Sequence, residues 1–188
     1  MTGGNVLVFL SSHRKKSNSS ILGKMAAQGA AAAGARVETI RLPDLTINPC
    51  HGCDYCQTKE RRGCVQKDDM IPLYSKLLAA DAIVLAGPVY WFSICAQTKL
   101  LIDRFYALGG ENSHLLADKK IGLILTYGDA DPFTSGAVNA LRSFQDMFRY
   151  IGAEIVDMVY GSAEKAGEIA KKPDLLKRAE ALGKALAG

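Results

Sequence analysis

The chain has no apolar run approaching the roughly 20 residues of a membrane-spanning helix. Its first apolar stretch, Val6 to Leu10, lacks a preceding basic region and is too short for a secretory signal. The expected location is therefore the cytoplasm, with no membrane partner. The sequence contains neither G-x-G-x-x-G nor G-x-x-x-x-G-K-[ST]. That argues against NAD bound on a dinucleotide-type glycine turn and against a nucleoside triphosphatase. There is no internal repeat, and the only compositional bias is an alanine-rich stretch over residues 26–35. Charge of one sign is also scarce: 23 basic against 19 acidic residues leave a net +4. The basic residues are scattered, which suits a phosphorylated small ligand and not nucleic acid. No nucleophile–base–acid triad and no carboxylate pair stands out.

What the chain does have is a dense group of thiols. Cys50, Cys53, Cys56 and Cys64 follow a C-x2-C-x2-C-x7-C spacing within PCHGCDYCQTKERRGC. Three thiols at two-residue gaps converge on one centre only if the backbone curls tightly, and Gly52 permits that close passage. Five cysteines in a chain expected in the cytosol favour metal or redox chemistry over structural disulfides. Four thiolates suit an iron–sulfur cluster; zinc and free thiols are the alternatives. His51 reads as polar surface. Cys95 stands apart and reads as packing.

The 188 residues, 48% of them hydrophobic, are enough for one domain (1–188) with a real core. Apolar runs alternate with helical patterns. Strands are expected at 5–10, 36–42, 82–86, 119–126 and 154–159, and helices at 17–33, from 68 or 69 to 80, and at 94–108, 135–151 and 173–187. Residues 43–67 form a long loop that carries the thiols. Such alternation gives parallel strands with helices on both faces. Five strands imply a doubly wound α/β sheet of order 2-1-3-4-5, whose crevice opens beyond the carboxyl ends of strands one and three.

Three loops meet at that crevice. After strand one comes SSHRKKSNSS, which runs into a helix N-terminus where free N–H groups and the dipole favour an anion. Ser11, Ser17, Asn18, Ser19 and Arg14 can add to that; the bland alternative is a solvated polar loop. After strand three comes GPVYWFSICAQTK, in which Tyr90, Trp91 and Phe92 follow Pro88 closely. They can flank a planar ring, cap the core, or meet a second subunit. After strand four, Tyr127 and Gly128 allow close approach to a ligand, and Asp129 and Asp131 solvate the turn.

Together these segments resemble the flavodoxin-like NAD(P)H-dependent FMN reductases, and the iron–sulfur flavoproteins in particular. The carriers are VLVFLSSHRKKSNSS, the four-cysteine loop followed by KDDM, and PVYWFSICAQTKLLIDRF with Lys99, Asp103 and Arg104. The resemblance implies FMN held at its phosphate by Ser12, Arg14, Ser17, Asn18 and Ser19. It implies Pro88, Val89, Tyr90, Trp91, Phe92 and Ser93 along the flavin, with Tyr127 and Gly128 at its far side. It implies a [4Fe–4S] cluster on Cys50, Cys53, Cys56 and Cys64. The implied activity takes electrons from NAD(P)H to a flavin, quinone or other small acceptor. The alternative is an electron carrier between protein partners such as ferredoxin. A homodimer or homotetramer is expected from the same resemblance.

Overall fold

The computed structural model describes residues 3–58, 63–110 and 113–188. The long strands are β1 (Asn5–Leu10), β2 (Arg36–Arg41), β3 (Ala82–Tyr90), β5 (Lys120–Tyr127) and β6 (Glu154–Ser162), and a two-residue β4 (Ser93–Ile94) folds back on β3. The sheet order is β2-β1-β3-β5-β6, all parallel apart from the β3–β4 pair. That is the flavodoxin-like order expected above. Its reversal lies between β1 and β3, where Leu10 pairs with Ala86.

The apolar runs explain the order. Residues 82–86 of β3 are fully buried, and so are Val8, Phe9 and Leu10 of β1, because each strand is covered on both faces. β2 alternates and sits at the edge. One face packs under α1 (Asn18–Ala32) and α5 (Pro173–Leu186), with Val8, Leu22, Val84, Ile124 and Leu182 between them. The other packs under α2 (Met70–Ala79), α3 (Ala96–Asp103) and α4 (Ala137–Ile151), around Phe9, Ile83, Leu123, Phe144 and Phe148. No helix among the described residues is long and apolar enough to cross a membrane.

Several boundaries differ from the sequence reading, each for a local reason. β3 continues through Gly87 and Pro88, which pair with Leu125 and Thr126 of β5. The helix expected over 94–108 is α-helical only to Asp103 and then tightens into a 3₁₀ turn, Arg104–Leu108. The Tyr74 hydroxyl donates to the Arg104 carbonyl at 3.2 Å, giving that oxygen a partner outside the helix. Of the two candidate caps for α2, Asp68 Oδ1 takes the Met70 N–H at 3.1 Å, whereas Asp69 Oδ2 takes the Thr46 N–H at 2.6 Å.

α1 fixes the crevice floor. Its cap, Ser17, accepts the Ser20 N–H on Oγ at 3.3 Å. Gly23 lets the helix sit hard against the sheet, since a Cβ there would lie 2.5 Å from Leu10 and 2.9 Å from Ala86.

His114 closes the connection into β5. Its ring sits in one neutral tautomer, with Nε2 donating to the Phe105 carbonyl and Nδ1 accepting from Leu116 N–H, both at 3.1 Å. Burial pushes its pKa below the usual 6.5, against the pull of the Phe105 carbonyl. The native state therefore resists a proton that the unfolded chain accepts. Stability from this site is complete above pH 6.5 and falls as pH drops below it, by up to about 1.4 kcal/mol per unit. Melting temperatures between pH 7 and 5 should decline more steeply for the native protein than for His114→Gln.

Candidate functional site

Two joined hollows open at the carboxyl edge of the sheet. The first, about 260 Å³, is lined by Ser12, Arg14, Ser17 and Asn18 after β1, by Pro88–Tyr90, by Thr126–Gly128, and by Ala163 and Glu164 after β6. The second, about 420 Å³, shares Val89, Tyr127, Gly128 and Glu164 with it and adds Trp91, Phe92, Asp129 and Ser135. All three loops singled out in the sequence meet here, as the strand order requires. A fourth, carrying Ala163 and Glu164, had no recognisable signal.

The β1–α1 loop makes a polar end. Ser12 Oγ accepts the Arg14 N–H at 3.3 Å, and the Ser17 and Ser19 hydroxyls are 3.0 Å apart. Ser19 is fully buried behind Ser17 and does not line either hollow. The Asn18 amide is committed elsewhere. Its Nδ2 donates to the carbonyls of Ala163 (3.1 Å) and Lys165 (3.0 Å), and its Oδ1 accepts the Ile169 N–H (3.2 Å). Asn18 thus straps the fourth loop to α1, and its side chain shapes the wall. What the first turn offers a ligand is its backbone N–H groups, as helix starts do. Arg14 is exposed at the rim, with no carboxylate partner among the described residues.

The aromatic segment is a hairpin and not a loose loop. Tyr90 pairs with Ser93 and Val89 with Ile94. Trp91 and Phe92 occupy the two turn positions at φ 45° and 61°. That left-handed pair is ordinarily filled by Asn-Gly, and bulky residues there are strained. The turn is braced from α4, where Asn139 Nδ2 donates to the Phe92 carbonyl at 3.2 Å. Gly136 makes room, since a Cβ there would lie 2.4 Å from Phe92 Cβ. Trp91 is left 93% exposed. Ser93, on the return strand, lines a separate groove that also contains Cys50. Behind the hairpin, Thr98 Oγ1 donates to Ser11 Oγ at 2.6 Å and lies 3.3 Å from Cys95 Sγ, which ties α3 to the β1 loop.

The far side is set by β5. Burial pushes the Tyr127 hydroxyl pKa up, with Tyr160 and Asp131 reinforcing the effect, so it stays a neutral donor. Asp131 does more than solvate the turn: it accepts from the N–H groups of Phe133 (2.8 Å) and Thr134 (3.0 Å).

The four cysteines surround a third, very small hollow of about 20 Å³, together with His51, Asp103, Arg104 and Tyr106. None is in a disulfide. Left-handed residues at Gly52 (φ 61°) and Asp54 (φ 55°) curl the chain around it. Tyr106 donates its hydroxyl to Asp54 at 2.9 Å, and Gln57 Nε2 donates to the Tyr106 carbonyl at 2.6 Å. Residues 59–62, within the Cys56–Cys64 insert, lie outside the described residues. Burial pushes the Cys56 thiol pKa up, and neighbouring Cys64 and Cys50 add to it against the hydrogen bond from Gln57. Among the described residues no three His, Cys, Asp or Glu side chains stand close enough to hold one metal ion. The all-thiol donor set, with N–H donors on the Cys56 and Cys64 sulfurs, fits an iron–sulfur cluster.

A family model described as NADPH-dependent FMN reductase matches residues 5–167. An iron–sulfur flavoprotein of Methanocaldococcus jannaschii is 36% identical over 115 residues, covering 61% of this chain and 56% of that protein. An iron–sulfur flavoprotein of Methanosarcina thermophila is 32% identical over 123 residues, covering 65% and 61%. The chain therefore spans less than two-thirds of the length of these relatives. Among solved structures, the NAD(P)H:quinone oxidoreductase from Methanothermobacter marburgensis superposes with a TM-score of 0.77 at 19% identity, covering 98% of both chains, a likeness of fold. The family match takes in every strand and all four crevice loops, and the chain belongs to the NADPH-dependent FMN reductase family.

Proposed function

We propose that the protein is an FMN-dependent oxidoreductase that takes electrons from NAD(P)H and delivers them to a flavin, quinone or other small acceptor. The observation that carries this is the pair of joined hollows, with Arg14, hydroxyls and helix-start N–H donors at one end and aromatics at the other. The residues fit FMN. Ser12, Arg14, Ser17 and the first-turn N–H groups of Asn18 and Ser19 would hold the phosphate, aided by the α1 dipole. Pro88, Val89, Tyr90, Trp91 and Phe92 would line the ring, with Tyr127 and Gly128 opposite. Bound FMN supplies the hydride and electron chemistry. The chain's own part is positional. The braced hairpin presents its aromatics in one arrangement, the Asn18 strap keeps the fourth wall closed, and Tyr127 offers a donor. Anaerobic mixing with NADH or NADPH tests the activity: the yellow flavin band should bleach within seconds with at least one of them. Indifference to both would refute it.

A second reading has its own support, because the four thiols share one hollow within reach of α3. In that reading Cys50, Cys53, Cys56 and Cys64 hold a [4Fe–4S] cluster, and the protein relays electrons to or from a partner such as ferredoxin. Reduction by ferredoxin, without response to either nicotinamide, would favour it. Both readings place the protein in the cytoplasm as a homodimer or homotetramer.

A further inference from the structure

Arg104 is 1% exposed and is the largest of the fully buried side chains. A guanidinium so placed is tolerated only when its charge and its N–H groups are answered. The Asp68 side chain, itself 2% exposed, answers the charge, with Oδ2 2.6 Å from Nη1 and Oδ1 3.2 Å from Nη2. Two donations remain. Nη1 reaches the Asn48 carbonyl at 3.0 Å, and Nη2 reaches Cys64 Sγ at 3.3 Å. Asp68 also takes the Asn48 N–H at 2.9 Å.

These contacts fall on both ends of the cysteine loop. Asn48 precedes Cys50, while Cys64 and Asp68 close the other side. One planar group therefore pins the neck of the loop to the turn that ends α3 and aims an N–H at the last cysteine's sulfur. Among the described residues its Nε is buried without an acceptor, in a residue that lines the thiol hollow. A buried donor of this kind calls for an acceptor that the described residues do not provide. An anchor for the loop would need only the ion pair with Asp68. The N–H aimed at sulfur and the orphan donor beside it both suit an electron-rich group on the thiols.

We propose that Arg104 is a positioning residue for a cluster on the four cysteines: it holds Cys64 in ligating position and, by N–H···S donation and fixed positive charge, raises the cluster's reduction potential. The inference rests on the iron–sulfur reading above. Hydrogen bonds to sulfur and local net charge are established determinants of such potentials, because they stabilise the more negative reduced state. Asp68 opposes the charge effect and sets its size.

Two variants with opposite expected signs test this. Arg104→Lys keeps the charge, but a lysine ammonium lacks the planar fork and cannot reach Asp68, Asn48 and Cys64 together. Asp68→Asn leaves Arg104 in place with its charge uncompensated. Each is purified anaerobically beside the native protein, with iron and FMN content, iron loss to a chelator, and cluster potential by spectroelectrochemical titration. Arg104→Lys should keep its FMN, lose iron about tenfold faster, and shift the potential negative. Asp68→Asn should shift it positive. A role confined to folding would move both variants the same way, or move neither potential, and either result overturns the proposal. Should Arg104→Lys also lose its FMN, the sign of the Asp68→Asn shift decides. Native protein without iron overturns the iron–sulfur reading itself. Native protein with about four irons per chain and an unperturbed Arg104→Lys overturns only the role of Arg104.

Discussion

Replacing Cys53 by serine should remove the broad iron–sulfur absorbance of anaerobically purified protein and lower its iron from about four per chain to less than one. The change is nearly isosteric, and it exchanges a soft sulfur ligand for a hydroxyl that does not ionise at neutral pH. Cys53 lies between Gly52 and Asp54, the two left-handed residues that curl the loop around the thiol hollow. It forms no wall of the hollows at the crevice. FMN content should therefore stay at the native level, which separates loss of a ligand from loss of the fold. Cys95→Ser is the matching control. Cys95 is 1% exposed against Thr98 and does not line the thiol hollow, so its replacement should leave iron unchanged. Native protein devoid of iron, or Cys53→Ser as rich in iron as the native protein, would defeat the assignment.

The cysteine spacing and the strand pattern were legible for the same reason: both are encoded by residues close in sequence. Val6–Leu10 and Ala82–Ala86 are apolar without interruption because both of their faces are covered, and that announces central parallel strands. The helix ends read less well, since the 3₁₀ turn at Arg104 depends on a hydroxyl thirty positions earlier, on Tyr74. The hairpin at Trp91–Phe92 was hidden because its turn lacks the Asn-Gly that ordinarily marks such geometry. Its bracing by Gly136 and Asn139 comes from α4, more than forty residues on. Asn18 gives the sharpest case. An amide beside serines at a helix start reads as a ligand contact, yet its acceptors and donor lie at 163–169, which only the fold brings near. Arg104 was visible as part of a motif, but its burial and its contact with Cys64 were not.

The double variant Arg14→Ala/Ser17→Ala should weaken FMN binding by roughly 30- to 700-fold, the equivalent of about 2–4 kcal/mol for one charge-assisted and one neutral hydrogen bond. Part of any loss at Ser17 could arise in the helix, because its Oγ caps α1 by accepting from Ser20 N–H, and loss of such a cap costs about 1 kcal/mol. Riboflavin separates the two effects, since it has the flavin ring and ribityl chain but no phosphate. In paired fluorescence titrations the double variant should bind riboflavin about as well as the native protein does, while its FMN affinity falls. Arg14 is exposed, so its share is screened by salt: the gap between native and variant affinities should narrow as ionic strength rises and the Debye length shrinks toward about 3 Å near 1 M. Equal losses for riboflavin and FMN would mean that the loop had lost its shape and not a phosphate contact. Unchanged FMN affinity would place the phosphate elsewhere and remove the basis for reading the polar end of the crevice as its site.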